Sequence, residues 1–165
     1  MNLDLIEDLK ANGFIGFRSM RELFADSSAI PKVQGVYLVL CLDKSEPEFL
    51  VHGTGGYFKG KDPNVSIDEL RSNWVKDRLV LYIGKAGGQS GKATLYSRLR
   101  QYLSFGQGKP VGHWGGRLIW QLKGSADLIL CWKPLPLEEP REVEVKLMSE
   151  FVRNYGQRPF ANLSN

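Results

Sequence analysis

The sequence is poor in the residues that build metal and redox sites. Only two of its 165 residues are cysteine, Cys41 and Cys131, and only two are histidine, His52 and His113. Two separated cysteines and two histidines exclude a usual four-ligand structural zinc site. Both cysteines sit inside apolar runs, so they read as buried free thiols rather than a disulfide. No apolar run approaches the roughly 18 residues of a membrane span, which excludes a transmembrane helix. The N-terminus, MNLDLIEDLK, is acidic and amphipathic, without the basic start and apolar stretch of a signal peptide. The cytoplasm is therefore the expected location. Internal repeats and low-complexity tracts are missing as well, and the length suits one domain spanning residues 1–165.

The most informative absence is of acid. From Arg78 to Ala126 there are eight Lys or Arg residues and no Asp or Glu. The other 14 basic and 18 acidic residues leave the rest of the chain at −4, against +4 overall. A positive field concentrated in one continuous segment suits a polyanion, most commonly nucleic acid.

What is present reads as a small α/β (α+β) layer. Leu3 to Asn12 has helical spacing of Leu5, Ile6 and Leu9. Phe14, Ile15 and Phe17 are expected to enter the core. Ser19 to Phe24 reads as a second short helix, with Ser19 and Glu22 spaced for a capping box. Val36 to Leu42 is a nearly continuous apolar run rich in β-formers, hence a central strand. Strands are also expected at 79–83 and 126–132, and helices at 94–104 and about Leu137 to Tyr155. Arg117 to Leu122 reads as a short helix or strand. These elements predict a three-stranded mixed or antiparallel sheet flanked by helices. Residues 1–32 form an N-terminal helical extension. Residues 43–78 form a polar insertion, with a short strand at 49–51 and a helix at 67–75 capped by Ser66. The insertion reads either as a lid or substrate-binding excursion or as a surface excursion.

The Gly-rich stretch Gly87 to Thr94 invites comparison with a phosphate-binding P-loop, and fails it. That motif needs Gly, four residues, then Gly-Lys-Ser/Thr. The position five before Gly91 is Ala86, and Ala93 follows Lys92.

A different set of residues fits a phosphate better. Gly35-Val36-Tyr37 opens the first strand, and Tyr82-Ile83-Gly84-Lys85 ends the second. Leu95, Arg98, Leu99 and Tyr102 follow on a helix. A late helix carries glutamates, and the chain closes on Pro159-Phe160-Ala161-Asn162. In this order the motifs resemble the GIY-YIG nuclease superfamily, including the nuclease domain of bacterial excision-repair endonucleases. The resemblance covers roughly residues 33–42 and 79–163. Two features depart from it: the connection between the tyrosine motifs and the loop before the arginine helix are both longer here.

The resemblance implies a metal-dependent endonuclease acting on DNA, with RNA as an alternative substrate and Mg²⁺ or Mn²⁺ as cofactor. It implies catalytic roles for Tyr37, Tyr82, Arg98, Glu144 and Asn162, with Glu144 as metal ligand and either tyrosine as general base. Lys85, Lys92, Arg100, His113 and Arg117 are the expected substrate-binding residues. The glutamate is chosen by helix geometry. At about 100° per residue, Leu147, Met148, Phe151 and Tyr155 span a narrow arc with Glu144 at its middle. Glu150, the alternative, falls roughly 60° outside that arc. One carboxylate suffices for Mg²⁺ that keeps most of its waters, and a guanidinium fork suits phosphoryl oxygens. Trp114 is a candidate for base stacking. Two other readings stand beside the enzyme: a nucleic-acid-binding module of the same fold without turnover, and an interaction domain in which these residues only pack.

Overall fold

The computed structural model describes residues 1–89 and 91–163; Ser90, in the Gly-rich loop, lies outside the described residues. In chain order the elements are α1 (Ile6–Ala11), β1 (Ile15–Ser19), α2 (Met20–Ala25), β2 (Gly35–Leu40), α3 (Ile67–Asn73), β3 (Val80–Ala86), α4 (Leu95–Gly106), β4 (Ile129–Pro134) and α5 (Pro140–Tyr155). Two 3₁₀ turns, Arg117–Gln121 and Ser125–Asp127, lie between α4 and β4. Among the described residues no helix is long and apolar enough to cross a membrane.

The sheet has the order β1-β4-β2-β3, and every pairing is antiparallel. It is thus four-stranded, not three-stranded, and not mixed. The additional strand is β1, inside the segment expected to be a helical extension. Its ladder with β4 is broken between Ile15 and Arg18, where Gly16 and Phe17 both have positive φ. A bulge in so short a strand erases the period-two pattern by which strands are read. Ile15 is 51% exposed rather than in the core, whereas Phe14 is buried. The N-terminal segment is tied down firmly. The Asp4 carboxylate accepts from Leu79 N (3.0 Å), from the Tyr155 hydroxyl (2.7 Å) and from the Arg78 guanidinium.

Central strand β2 is buried at all six positions, as its unbroken apolar run predicts. Its side chains alternate between two layers. Val36, Leu38 and Leu40 join Ile83, Leu147 and Phe151 in an aliphatic layer beneath α5. Tyr37 and Val39 join Tyr82, Leu99, Tyr102, Trp120 and Trp132 in an aromatic-rich layer beneath α4. Burying a large apolar side chain contributes about 1.5–3 kcal/mol, so this double burial makes β2 the anchor of the molecule.

Local signals set the helix ends. Ser19 and Glu22 form the expected capping box, and Ser66 caps α3. Thr94 and Ser97 close a second box at the start of α4. α5 starts at Pro140, the first-turn position where proline's missing N–H costs nothing, and stops at Gly156 in the left-handed region. Residues 137–139 therefore lie outside the helix. β4 runs on to Pro134, with Leu128 closing the preceding turn rather than opening the strand.

The 43–78 insertion is stitched to the body. Gln121, 1% exposed, donates to the carbonyls of Leu50 (3.0 Å) and Val65 (2.9 Å) and accepts from Val65 N (2.9 Å). Phe49, Trp74 and Phe160 pack ring against ring. The strand expected at 49–51 is reduced to a single bridge, Phe49 to Leu122: Leu50 N donates to the backbone carbonyl of Gln121 (2.7 Å), while the Leu50 carbonyl accepts from the Gln121 side chain instead of from backbone.

Candidate active site

Strand pairing brings the two tyrosine motifs together. Tyr37 of β2 lies directly opposite Gly84 of β3. A Cβ at residue 84 would sit 2.4 Å from Tyr37 Cζ, so only glycine leaves room for the ring. Tyr37, Tyr82 and Tyr102 form a cluster with ring centroids 5.9–6.5 Å apart. Tyr102 stands one helical turn after Arg98 on α4, on the same face, and its hydroxyl donates to Gly116 O (2.8 Å).

Tyr37, Tyr82, Lys85, Arg98 and Glu144 line one cleft of about 270 Å³. A wider groove of about 870 Å³ shares Tyr82, Lys85 and Glu144 with it, and is also bordered by Trp114, Arg117, Arg141, Arg158 and Asn162. Two further clefts have the opposite sign. One, of about 380 Å³, is bordered by Asp43, Glu46, Glu48 and Asp127 against Lys123. The other, of about 630 Å³, is bordered by Glu138, Glu139, Glu142 and Glu150 against Lys133 and Lys146. Net positive lining is found at the first pair and not at these two.

Burial dominates the electrostatics of the tyrosines. It raises Tyr37 well above an ordinary phenol, and the neighbouring Tyr82 adds to this while Arg98 opposes it. Tyr82 is also raised by burial, but contact with Tyr37 and the charge of Arg98 pull it back. Glu144, half-buried, is raised by loss of water, with Lys85, Arg141 and Arg98 opposing. It makes no salt bridge among the described residues, whereas Glu150 is paired with the Met1 amino group (3.3 Å). The two candidate glutamates thus face different sides of α5.

The other expected site residues separate into groups. Lys85 and Arg117 border the groove. Asn162 braces it: its amide accepts from Ile83 N (2.9 Å) and donates to Ile83 O (2.8 Å), beside the bond from Ala161 N to Leu81 O (2.9 Å). These bonds cover the outer edge of β3 next to Tyr82. Arg100 is turned away, its guanidinium 5.7 Å from the Tyr96 ring and bonded to Ser27 Oγ (3.3 Å). Two residues after Arg98, it lies about 200° round the helix. Lys92 is exposed and borders neither cavity.

His113, expected among the substrate-binding residues, borders neither cavity and is buried behind them. It is 1% exposed and stacks on Tyr102 at 4.6 Å, with neither ring nitrogen hydrogen-bonded. Burial, and then Arg98, lower its pKa from 6.5 to about 3, so it is neutral at pH 7. No residue of the 43–78 insertion borders either cavity.

Sequence reasoning passed over Arg141, Arg158 and the Gly115-Gly116 pair. A Cβ on either glycine would meet Tyr82 at 2.9 Å; the signal was their place beside His113-Trp114, in the acid-free segment. Among the described residues no three His, Cys, Asp or Glu side chains are placed to hold a metal ion together, so a cation here would rest on one carboxylate and water. Glu144, half-buried and without a salt bridge, fits such a hydrated Mg²⁺ or Mn²⁺. No model of a known protein family, no curated protein and no solved structure matches the chain.

Proposed function

We propose that the protein is a GIY-YIG-type, metal-dependent endonuclease that hydrolyses phosphodiester bonds in DNA. One observation carries this reading. Tyr37, Tyr82, Lys85, Arg98 and Glu144 come from four separate elements, yet border one cleft whose cations outnumber its carboxylate.

The chain's own groups supply most of the chemistry. Arg98 holds the non-bridging phosphoryl oxygens through its fixed donor fork and stabilises the charge that develops there. Lys85 adds a second positive charge. Tyr37, raised further by burial, keeps its proton. Tyr82, held closer to titration by Arg98, first gives up its own proton to solvent and then, as the phenolate, takes the proton of the attacking water. Glu144 holds a divalent cation, which when bound stabilises the phosphate and the leaving oxygen. Asn162 keeps Tyr82 in position by closing the edge of β3.

The test uses supercoiled plasmid and branched DNA with Mg²⁺, with Mn²⁺ and with EDTA. The expected result is nicking that stops in EDTA and in Arg98→Ala. Salt-sensitive binding without cleavage would instead identify a binding module. Neither binding nor cleavage would leave the residues as packing alone.

A further inference from the structure

The cleavage chemistry uses one corner of the 870 Å³ groove; the rest has its own character. Trp114 is half-buried, with Phe105 packed edge-on against it (6.4 Å). The Arg117 guanidinium lies over the Trp114 ring at 4.7 Å. Arg141 and Arg158 border the same groove, and none of the three arginines has a salt-bridge partner among the described residues. Gly115 keeps the way clear between this platform and the site, since a Cβ there would stand 2.9 Å from the Tyr82 hydroxyl.

We infer that the groove holds a single nucleic-acid strand, with an unpaired base stacked on the Trp114–Arg117 platform beside the phosphodiester bond to be cleaved. This rests on the nuclease reading and narrows its substrate. Within a duplex both faces of a base are covered by its neighbours. A ring and a guanidinium offered as a stacking surface therefore select an unpaired, frayed or flipped nucleotide. Arg141 and Arg158 supply the backbone contacts that any strand needs. The groove's volume lies within the roughly 300–1,000 Å³ that encloses a small ligand, suited to one or two nucleotides rather than to a double helix.

Binding is measured by fluorescence anisotropy in EDTA, so that cleavage plays no part. The probes are a labelled oligothymidylate, an oligouridylate and a blunt duplex of equal length. Either single strand should bind about 10-fold tighter than the duplex, and Trp114→Ala should remove most of that difference. Trp114→Phe, which keeps a ring, should retain it. Arg158→Ala should reduce the salt slope for single strands by about 0.7. If Trp114→Ala does not fold, Trp114→Leu against Trp114→Phe makes the same comparison. Equal or tighter binding of the duplex overturns the inference, as does equal weakening of strand and duplex by loss of the ring. Strand preference without metal-dependent cleavage would overturn the nuclease reading alone. Cleavage without strand preference would overturn this inference alone.

Discussion

Helix α5 separates two grooves of similar size and opposite charge. On one side Arg141 and Glu144 stand beside Lys85, Arg117 and Arg158. On the other, Glu138, Glu139, Glu142 and Glu150 outnumber Lys133 and Lys146. Net charge alone does not distinguish the sides, since α5 carries both signs. Neighbours do: one side faces the acid-free segment 78–126, and the other faces the N-terminus and the end of β4. The same residue type therefore has different uses on each side. Glu150 is paired with the Met1 amino group, while Glu144 is left half-buried without a salt bridge among the described residues. An unpaired carboxylate surrounded by cations is a poor stability device and a good ligand.

Exchanging glutamate for glutamine on each side is the strongest way to break this comparison. Glu144→Gln should lower the initial rate of plasmid nicking by about 100-fold or more, and Glu150→Gln by less than about twofold. Equal losses would mean that the two sides do not differ in function.

Acid should damage the basic side first. His113 sits near Arg98 and has a folded pKa of about 3 against 6.5. A lowered value means that the folded state binds fewer protons than the unfolded chain. The stabilisation is full above pH 6.5 and is lost as pH falls towards 3, at about 1.4 kcal/mol per pH unit. Urea titrations across that range should show the slope in the wild type and a flatter profile in His113→Leu.

The tyrosine corner can be broken sterically. Gly84→Ala forces a methyl into the Tyr37 ring and should cost about 2 kcal/mol by urea unfolding. Nicking should fall with it, because Tyr37 must leave the cleft to make room.

The smallest effect is a gain. The Glu144 pKa is raised by burial, so its contribution is favourable below the ordinary carboxylate range and is lost as pH rises through the folded value. At pH 7 the charge is a burden. Without added metal, Glu144→Gln should raise the melting temperature by about 2 °C. Mg²⁺ should then stabilise the wild type and leave the variant unchanged.

Much of the framework was legible along the chain. β2 was readable because burial on both faces demands an unbroken apolar run. The capping boxes were readable because they span only three residues. Glu144 was distinguishable from Glu150 because helix periodicity converts sequence spacing directly into direction. β1 was not legible, since its bulge conceals the alternation. The burial of His113, expected to touch substrate, was not legible because it depends on Tyr102 and the surrounding core. The role of Gln121 was hidden for a similar reason. A buried glutamine looks like any other until the backbone it pairs with, 56 and 71 residues away in sequence, is folded beside it.

Read along the chain, the residues specify much of the local order of the molecule: the central strand, the capped helix starts at Ser19, Ser66 and Thr94, and the segment that carries unopposed positive charge. These follow from periodicity, capping and composition, all of which act over a few residues. Only the tertiary structure decided that Tyr37, Tyr82, Arg98 and Glu144 share one cleft, that Arg100 and Lys92 do not, and that α5 has a basic and an acidic side. Those outcomes depend on which distant segments pack against one another, and burial and charge at a site are sums over all of them.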